Sequence, residues 1–388
     1  MISQVPEKYL VKDTRPYTDF RVKTISGYKV SEVQSAFKKS LTDNRLEESC
    51  HWGVELLSSG YIEKMFNCLF NIFTKNIYTN NPLLAEKLLI RFEFYVNIKN
   101  FFVLNHKNKK NKKDNDVLLQ LRNVQAIRNQ IIELITIIVH SGKGKSLSLP
   151  TIKTMSTTDK MMARDESLIQ PYIKYGDSKE LQLAGNEFIA ALKINNSQNA
   201  LYWLSWISTF EKLFVKQTRT NFNQGYRKIA NVEDKYHNDF IWLFWEITLN
   251  SVKHREIKVR NQIFALYRLF IYEYSPNKKA KKMPLLMCSI KYLTEIYSVN
   301  TPVTNNESSL VQVCGRVNTL FREVKLNEVV VKSKVDIAER IINNVRNTRK
   351  SSKASQAEQA INKQLESKIK MEQAKKIDLA LLRGSHYK

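Results

Sequence analysis

Residues 36–60 read AFKKSLTDNRLEESCHWGVELLSSG, and residues 187–211 read EFIAALKINNSQNALYWLSWISTFE. Phe37, Leu41, Asn44 and Trp52 of the first stretch recur as Phe188, Leu192, Asn195 and Trp203 of the second, each displaced by 151 positions. Three of the four are large and apolar, and the fourth is an asparagine that interrupts a helix in both places. This register predicts one helical unit used twice. Repetition of a supersecondary unit is the mark of a scaffold, because each copy hides its apolar face against a neighbour.

Outward from this pair the chain reads as all-α: two related multi-helix, solenoid-like halves, an extended N-terminal arm and a basic C-terminal helix. Glycine (10) and proline (8) are scarce in 388 residues, whereas β folds need both at their many turns. Residues 1–28, punctuated by Pro6, Pro16 and Gly27, form the arm, which wraps a neighbour or lies over its own core. Residues 29–140 are the first helical domain. Ser31 reads as the N-cap of a helix with Val33, Phe37 and Leu41 on one face. Further helices are expected over 46–57, 61–78, 83–104 and 117–139.

Residues 141–164, rich in Ser, Thr, Gly and Lys, read as a linker. Residues 165–345 are the second helical domain, with helices expected over 181–194, 198–214, 240–252, 259–274 and 285–297, then two more or a short strand near Val329. Residues 346–388 form a basic amphipathic helix carrying Ile361, Leu365, Ile369, Ile377 and Leu381 near one face. Such a stripe cannot be buried alone, which makes these five residues candidates for docking on a partner.

The formal net charge is +25. A charge of that size is offset by nucleic acid, an acidic membrane face or an acidic protein shell. The candidate polyanion contacts are Lys107, Lys109, Lys110, Lys112 and Lys113 in one lysine loop and Lys278, Lys279, Lys281 and Lys282 in a second, SPNKKAKKMP. Four widely spaced cysteines with no CxxC pair fit a reducing compartment and argue against a zinc knuckle. The start, MISQVPEKYL, lacks the order of a signal peptide, and no apolar run approaches the roughly 18 residues of a membrane span.

No motif specifies a reaction. Ser141 to Ser146 contains Gly-Lys-Ser, but Val139 stands where a phosphate-binding loop needs its first glycine. Cys50 and His51 are adjacent on a helix and therefore point about 100° apart, which does not make a nucleophile–base pair. The six histidines show no metal-ligand spacing. Glu47-Glu48 reads as a solvated face, and Trp203, Trp206, Trp242 and Trp245, set among Leu, Ile and Phe, as core. No catalytic, cofactor or metal residue is assigned, and no enzyme activity is expected.

The stretch KKSLTDNRLEESCHWGVELLSSGYIEKMFNCLFNIF, with ALYWLSWISTFEKLF, resembles an all-helical family carried by large nucleocytoplasmic DNA viruses of algae and protists. The residues concerned are Phe37 to Leu41, Trp52, Ser59-Gly60 and Asn81-Pro82, over about residues 28–100. A weaker similarity, at Lys39-Ser40-Leu41 and Tyr202-Trp203-Leu204, is to the helical collar of clamp-loader-like AAA+ ATPases, here without a motor domain or an intact phosphate loop. The first resemblance implies a non-enzymatic structural protein of the virion, made in the host cytoplasm: a minor capsid protein bridging capsomers or linking the shell to an inner membrane. Its partners would be the major capsid protein or other minor capsid proteins, further copies of itself, and an acidic membrane surface or DNA bound without sequence preference. The alternatives are a nucleic-acid-binding replication or packaging factor and a helical adaptor with no viral connection.

Overall fold

A computed structural model describes residues 5–106, 116, 118–157, 160–304 and 306–330. Among these the protein is all-α, with twelve α-helices and no strand. An isolated antiparallel bridge joins Lys23 to Lys29. No described helix is long and apolar enough to cross a membrane. The helices are α1 (Val30–Thr42), α2 (Leu46–Ser58), α3 (Ile62–Ile72), α4 (Leu84–His106), α5 (Gln125–His140) and α6 (Lys179–Lys193). They continue with α7 (Ser197–Thr218), α8 (Ile241–Ser251), α9 (Ile257–Ile271), α10 (Pro276–Thr294), α11 (Glu307–Gly315) and α12 (Val317–Lys325). The described residues among 5–11 and 16–327 belong to one compact unit. Lys12–Arg15 belong with Glu328–Val330 to a second. In that second unit Thr14 N donates to Val329 O at 3.0 Å and Val329 N to Asp13 Oδ2 at 2.8 Å.

The quoted stretches form two helical hairpins, α1–α2 and α6–α7, whose turns share one hydrogen-bond pattern. Asp43 N bonds to Lys39 O, Arg45 N to Ser40 O and Ser49 N to Arg45 O. At the same offset of 151, Ile194 N bonds to Ala190 O, Asn196 N to Ala191 O and Ala200 N to Asn196 O. Between them Asn44 (φ 60°) and Asn195 (φ 55°) adopt the left-handed conformation. This is the reversal that ends a helix in a Schellman turn, and asparagine tolerates it better than most side chains. Phe37 and Phe188 are fully buried beneath the turns.

Three more helices follow each hairpin: α3, α4 and α5 after the first, α8, α9 and α10 after the second. In each set the last helix packs against the other four, α5 against α1 to α4 and α10 against α6 to α9. Helices from both sides of residues 141–164 lie in the same unit, where α4 packs along α9. Glu86 N donates to Gln262 Oε1, and Arg268 pairs with Glu93. Tyr292 of α10 donates to Tyr78 O at 2.8 Å. Helix α8 is apolar over most of its surface and buried accordingly, with Trp242, Phe244 and Trp245 in the core. Removing such side chains from water contributes about 3 kcal/mol each.

Several local expectations are corrected. Ser31 lies inside the first turn of α1, and Lys29 occupies the N-cap position without a side-chain capping bond. The helix expected over 61–78 is α3 followed by a π-turn at Phe73–Ile77. The stretch before α5 is a 3₁₀ turn at Leu119–Asn123. The basic loop expected over 275–284 is the first half of α10, which starts at Pro276 after Ser275 and carries Pro284 in its interior. Proline pre-sets the first helical turn, and lysine is a good helix former. Buried partners for Lys279 and Lys282 supply the rest.

Candidate functional site

The irregular segments ahead of the two hairpins are held by buried carboxylates. Glu55 of α2, fully buried, accepts from Ser26 N (2.9 Å) and Ser26 Oγ (2.8 Å). Ser59 Oγ accepts from Ile25 N, and the Tyr61 hydroxyl donates to Phe20 O. On the second hairpin Glu187 accepts from Met162 N (2.7 Å) and Ala163 N (3.2 Å). Asn186 accepts from Ile169 N and donates to Asp165 O. Residues 20–26 thus lie over the first hairpin, residues 162–169 run along α6, and Pro150, Met155 and Ser156 lie along α7, where Ser205 Oγ donates to Pro150 O.

Buried cations brace the remaining segments. Arg128 of α5 is fully buried and donates to Arg122 O (2.7 Å), Tyr9 O (3.1 Å), Asn123 Oδ1 (3.0 Å) and Asn318 Oδ1 (3.1 Å). Its guanidinium lies 3.7 Å from the ring centroid of Phe321. The arm, the 3₁₀ turn and α12 therefore converge on one side chain. Burial, reinforced by the charge of Arg122, pushes its pKa down to about 9. Arg227, in the 219–240 connection, forks onto Asp177 with bonds of 2.8 and 2.7 Å. It also donates to Glu246, Gly225 O and Tyr172 O.

The expected lysine contacts fare unequally. Lys107, Lys109, Lys110, Lys112 and Lys113 lie outside the described residues, as do Ile361, Leu365, Ile369, Ile377 and Leu381. In α10, Lys279 is buried between Glu211 (2.6 Å) and Asp239 (2.9 and 3.0 Å), with its ammonium 4.2 Å from the Phe240 ring centroid. Tyr274 Oη donates to the same Asp239. Burial, with the Asp239 charge, raises the Glu211 pKa against the pull of Lys279. Lys282 donates to Leu269 O and Tyr272 O, capping α9, and burial pushes its pKa down to about 8. Lys278 pairs with Glu273, and Lys281 is exposed.

The Gly-Lys-Ser segment is also structural. Lys143 caps the end of α5 through Ile138 O (2.6 Å) and Val139 O (2.9 Å) and reaches Asn44 in the first hairpin turn. Gly144 N and Leu147 N bond to carbonyls of the π-turn, so these amides are directed inward. Cys50 is buried with its thiol pushed up to about 12 by burial and the Glu47 charge, opposite to what a thiolate nucleophile requires. Glu47 pairs with Arg316 and Glu48 with Arg45. Trp203, Trp206, Trp242 and Trp245 are core. Among the described residues no group of three or more His, Cys, Asp or Glu could hold a metal ion.

Sequence reasoning missed the buried braces, because Arg128, Arg227 and Glu187 find their partners through tertiary contact. The sole local signal is a pair of short glycine-containing segments, Lys174-Tyr175-Gly176-Asp177 and Gly225-Tyr226-Arg227-Lys228. Comparison with protein-family models, curated proteins and solved structures returns no match to this chain.

Proposed function

We propose that this chain is a non-enzymatic connector, a duplicated helical body whose role is to hold other macromolecules in fixed relation. The observation that carries this reading is the use of buried charge. Glu55, Glu187, Arg128, Arg227, Lys143 and Lys282 each fasten an irregular segment or a helix end to a helix. Charge used in this way makes a stiff frame out of segments that would otherwise be loose. Apolar residues left outward support a partner as well: Ile90, Phe101 and Leu104 of α4 are all more than half exposed.

We propose further, on the resemblance to a viral helical family, that the connector is a minor capsid component of a large DNA virus, bridging capsomers or tying the shell to an inner membrane. Its net charge of +25 suits the inner face of a shell, where acidic protein, lipid headgroups or genome lie. The two solenoid-like halves and the basic C-terminal helix belong to this proposal, the halves as the frame and the helix as a grip on a neighbour. Mass spectrometry of purified particles, with lysine cross-linking, tests it. The protein should appear at fixed stoichiometry and cross-link to capsid proteins; its confinement to infected-cell replication sites and absence from particles refutes it.

A further inference from the structure

The two glycine-containing segments meet at the Asp177–Arg227 fork. Lys174 N and Gly225 N both donate to the Asp177 carboxylate, at 2.8 and 3.0 Å. Gly176 takes a φ of +94°, a conformation that disfavours other side chains. A Cβ on Gly225 would stand 2.6 Å from Lys174 Cβ and 3.0 Å from Tyr175 O, so the loops touch backbone to backbone. On this rigid support Tyr175 is completely exposed and Tyr226 is half exposed. One edge of Tyr226 is set by His237, its hydroxyl 2.9 Å from Nδ1 and the ring centroids 5.1 Å apart. Lys174, next to Tyr175 in the chain and with its Cβ against Gly225, and Lys228, two residues after Tyr226, are both exposed. The neighbouring Lys235 is paired with Glu233, and Asp234 faces His237.

We propose that Lys174, Tyr175, Tyr226 and Lys228 form a binding site for single-stranded nucleic acid, in which the tyrosine rings stack on bases and the ammonium groups contact flanking phosphates. A fully solvated tyrosine on a mobile loop would be an ordinary surface residue. Here the backbone beneath it is fixed by a buried bidentate ion pair, so little order is lost when a base stacks on it. Aromatic faces interleaved with cations are the minimal single-strand platform. An acidic peptide would satisfy the lysines and leave the ring faces of Tyr175 in water, so nucleic acid is favoured. The site goes beyond the connector reading and does not depend on it.

The test is fluorescence anisotropy of the full chain with a labelled oligo-dT of about 16 nucleotides. Tyr175→Ala, at a fully exposed position, should weaken binding roughly ten-fold while the melting curve stays unchanged. Tyr175→Phe should restore it, because stacking needs the ring and not the hydroxyl. Replacing Lys174 and Lys228 with Gln should flatten the dependence of log affinity on log salt by about 0.7 for each lysine. Gly225→Ala, which pushes the loops apart, should also weaken binding. No affinity for oligo-dT, unchanged affinity in Tyr175→Ala with Tyr226→Ala, or displacement by poly-glutamate as effective as by unlabelled oligo-dT would each overturn the site. None of these results bears on whether the protein is found in particles.

Discussion

Arg227 shows how a single side chain decides the shape of a connection. Its guanidinium is buried with Asp177 and ties the 219–240 connection to the segment entering α6. Removing one member of a buried pair leaves the other charged in a poor solvent, which costs about 3–5 kcal/mol. Arg227→Met should therefore lower the unfolding free energy measured in urea by that amount, and the double variant with Asp177→Asn, which is neutral and still accepts from Lys174 N and Gly225 N, should recover part of it. The same pair sets the acid limit of stability. Burial raises the Asp177 pKa, but hydrogen bonds from Arg227 and from backbone amides, with the Arg227 charge, bring it below the usual carboxylate range. A depressed folded-state pKa contributes stability that is present above the unfolded value, near 3.9, and is lost as pH falls through the folded one. Unfolding free energy should drop steeply below about pH 4. In Asp177→Asn that slope should be shallower at a lower overall stability; an unchanged slope would show that other carboxylates govern it.

At the scale of elements, the hairpins were legible and α10 was not. Phe37, Leu41 and Asn44 define their turn through local spacing, and the copy at Phe188, Leu192 and Asn195 has the same backbone bonds. Asn44 and Asn195 sit at φ values that glycine adopts freely and β-branched residues resist. Asn195→Gly should leave the melting temperature level or raised, and Asn195→Val should cost about 1–2 kcal/mol. The start of α10, PNKKAKKM, has no apolar periodicity, so its pattern reads as a loop. What makes it helical is supplied from elsewhere: Glu211 and Asp239 for Lys279, and the carbonyl end of α9 for Lys282. The lysine run is thus part brace and part surface. Lys279→Gln should lower the unfolding midpoint with little effect on heparin affinity. Lys281→Gln should do the reverse, and equal behaviour of the two variants would contradict this division.

At the scale of the whole molecule, the sequence repeat extends into packing. Each hairpin is followed by three helices, and the last of each five spans the other four. This part was not readable from the chain, because identity between the copies fades after Trp52 and Trp203 while the contact of the fifth helix with the other four is kept. Burial tolerates many apolar sequences in one arrangement, so packing outlasts similarity. Helix α12 packs against α2 and α5, where its Asn318 and Phe321 meet Arg128 together with the carbonyl of Tyr9 in the arm. These contacts are complete by Lys325, well before the stripe of Ile361, Leu365, Ile369, Ile377 and Leu381 begins. A chain lacking residues 346–388 retains every brace described above. It should fold to the same unfolding midpoint by circular dichroism and, under the proposed connector role, be missing from purified particles. A large fall in that midpoint would make the terminal residues part of the core, because no described contact of residues 5–330 would account for the loss.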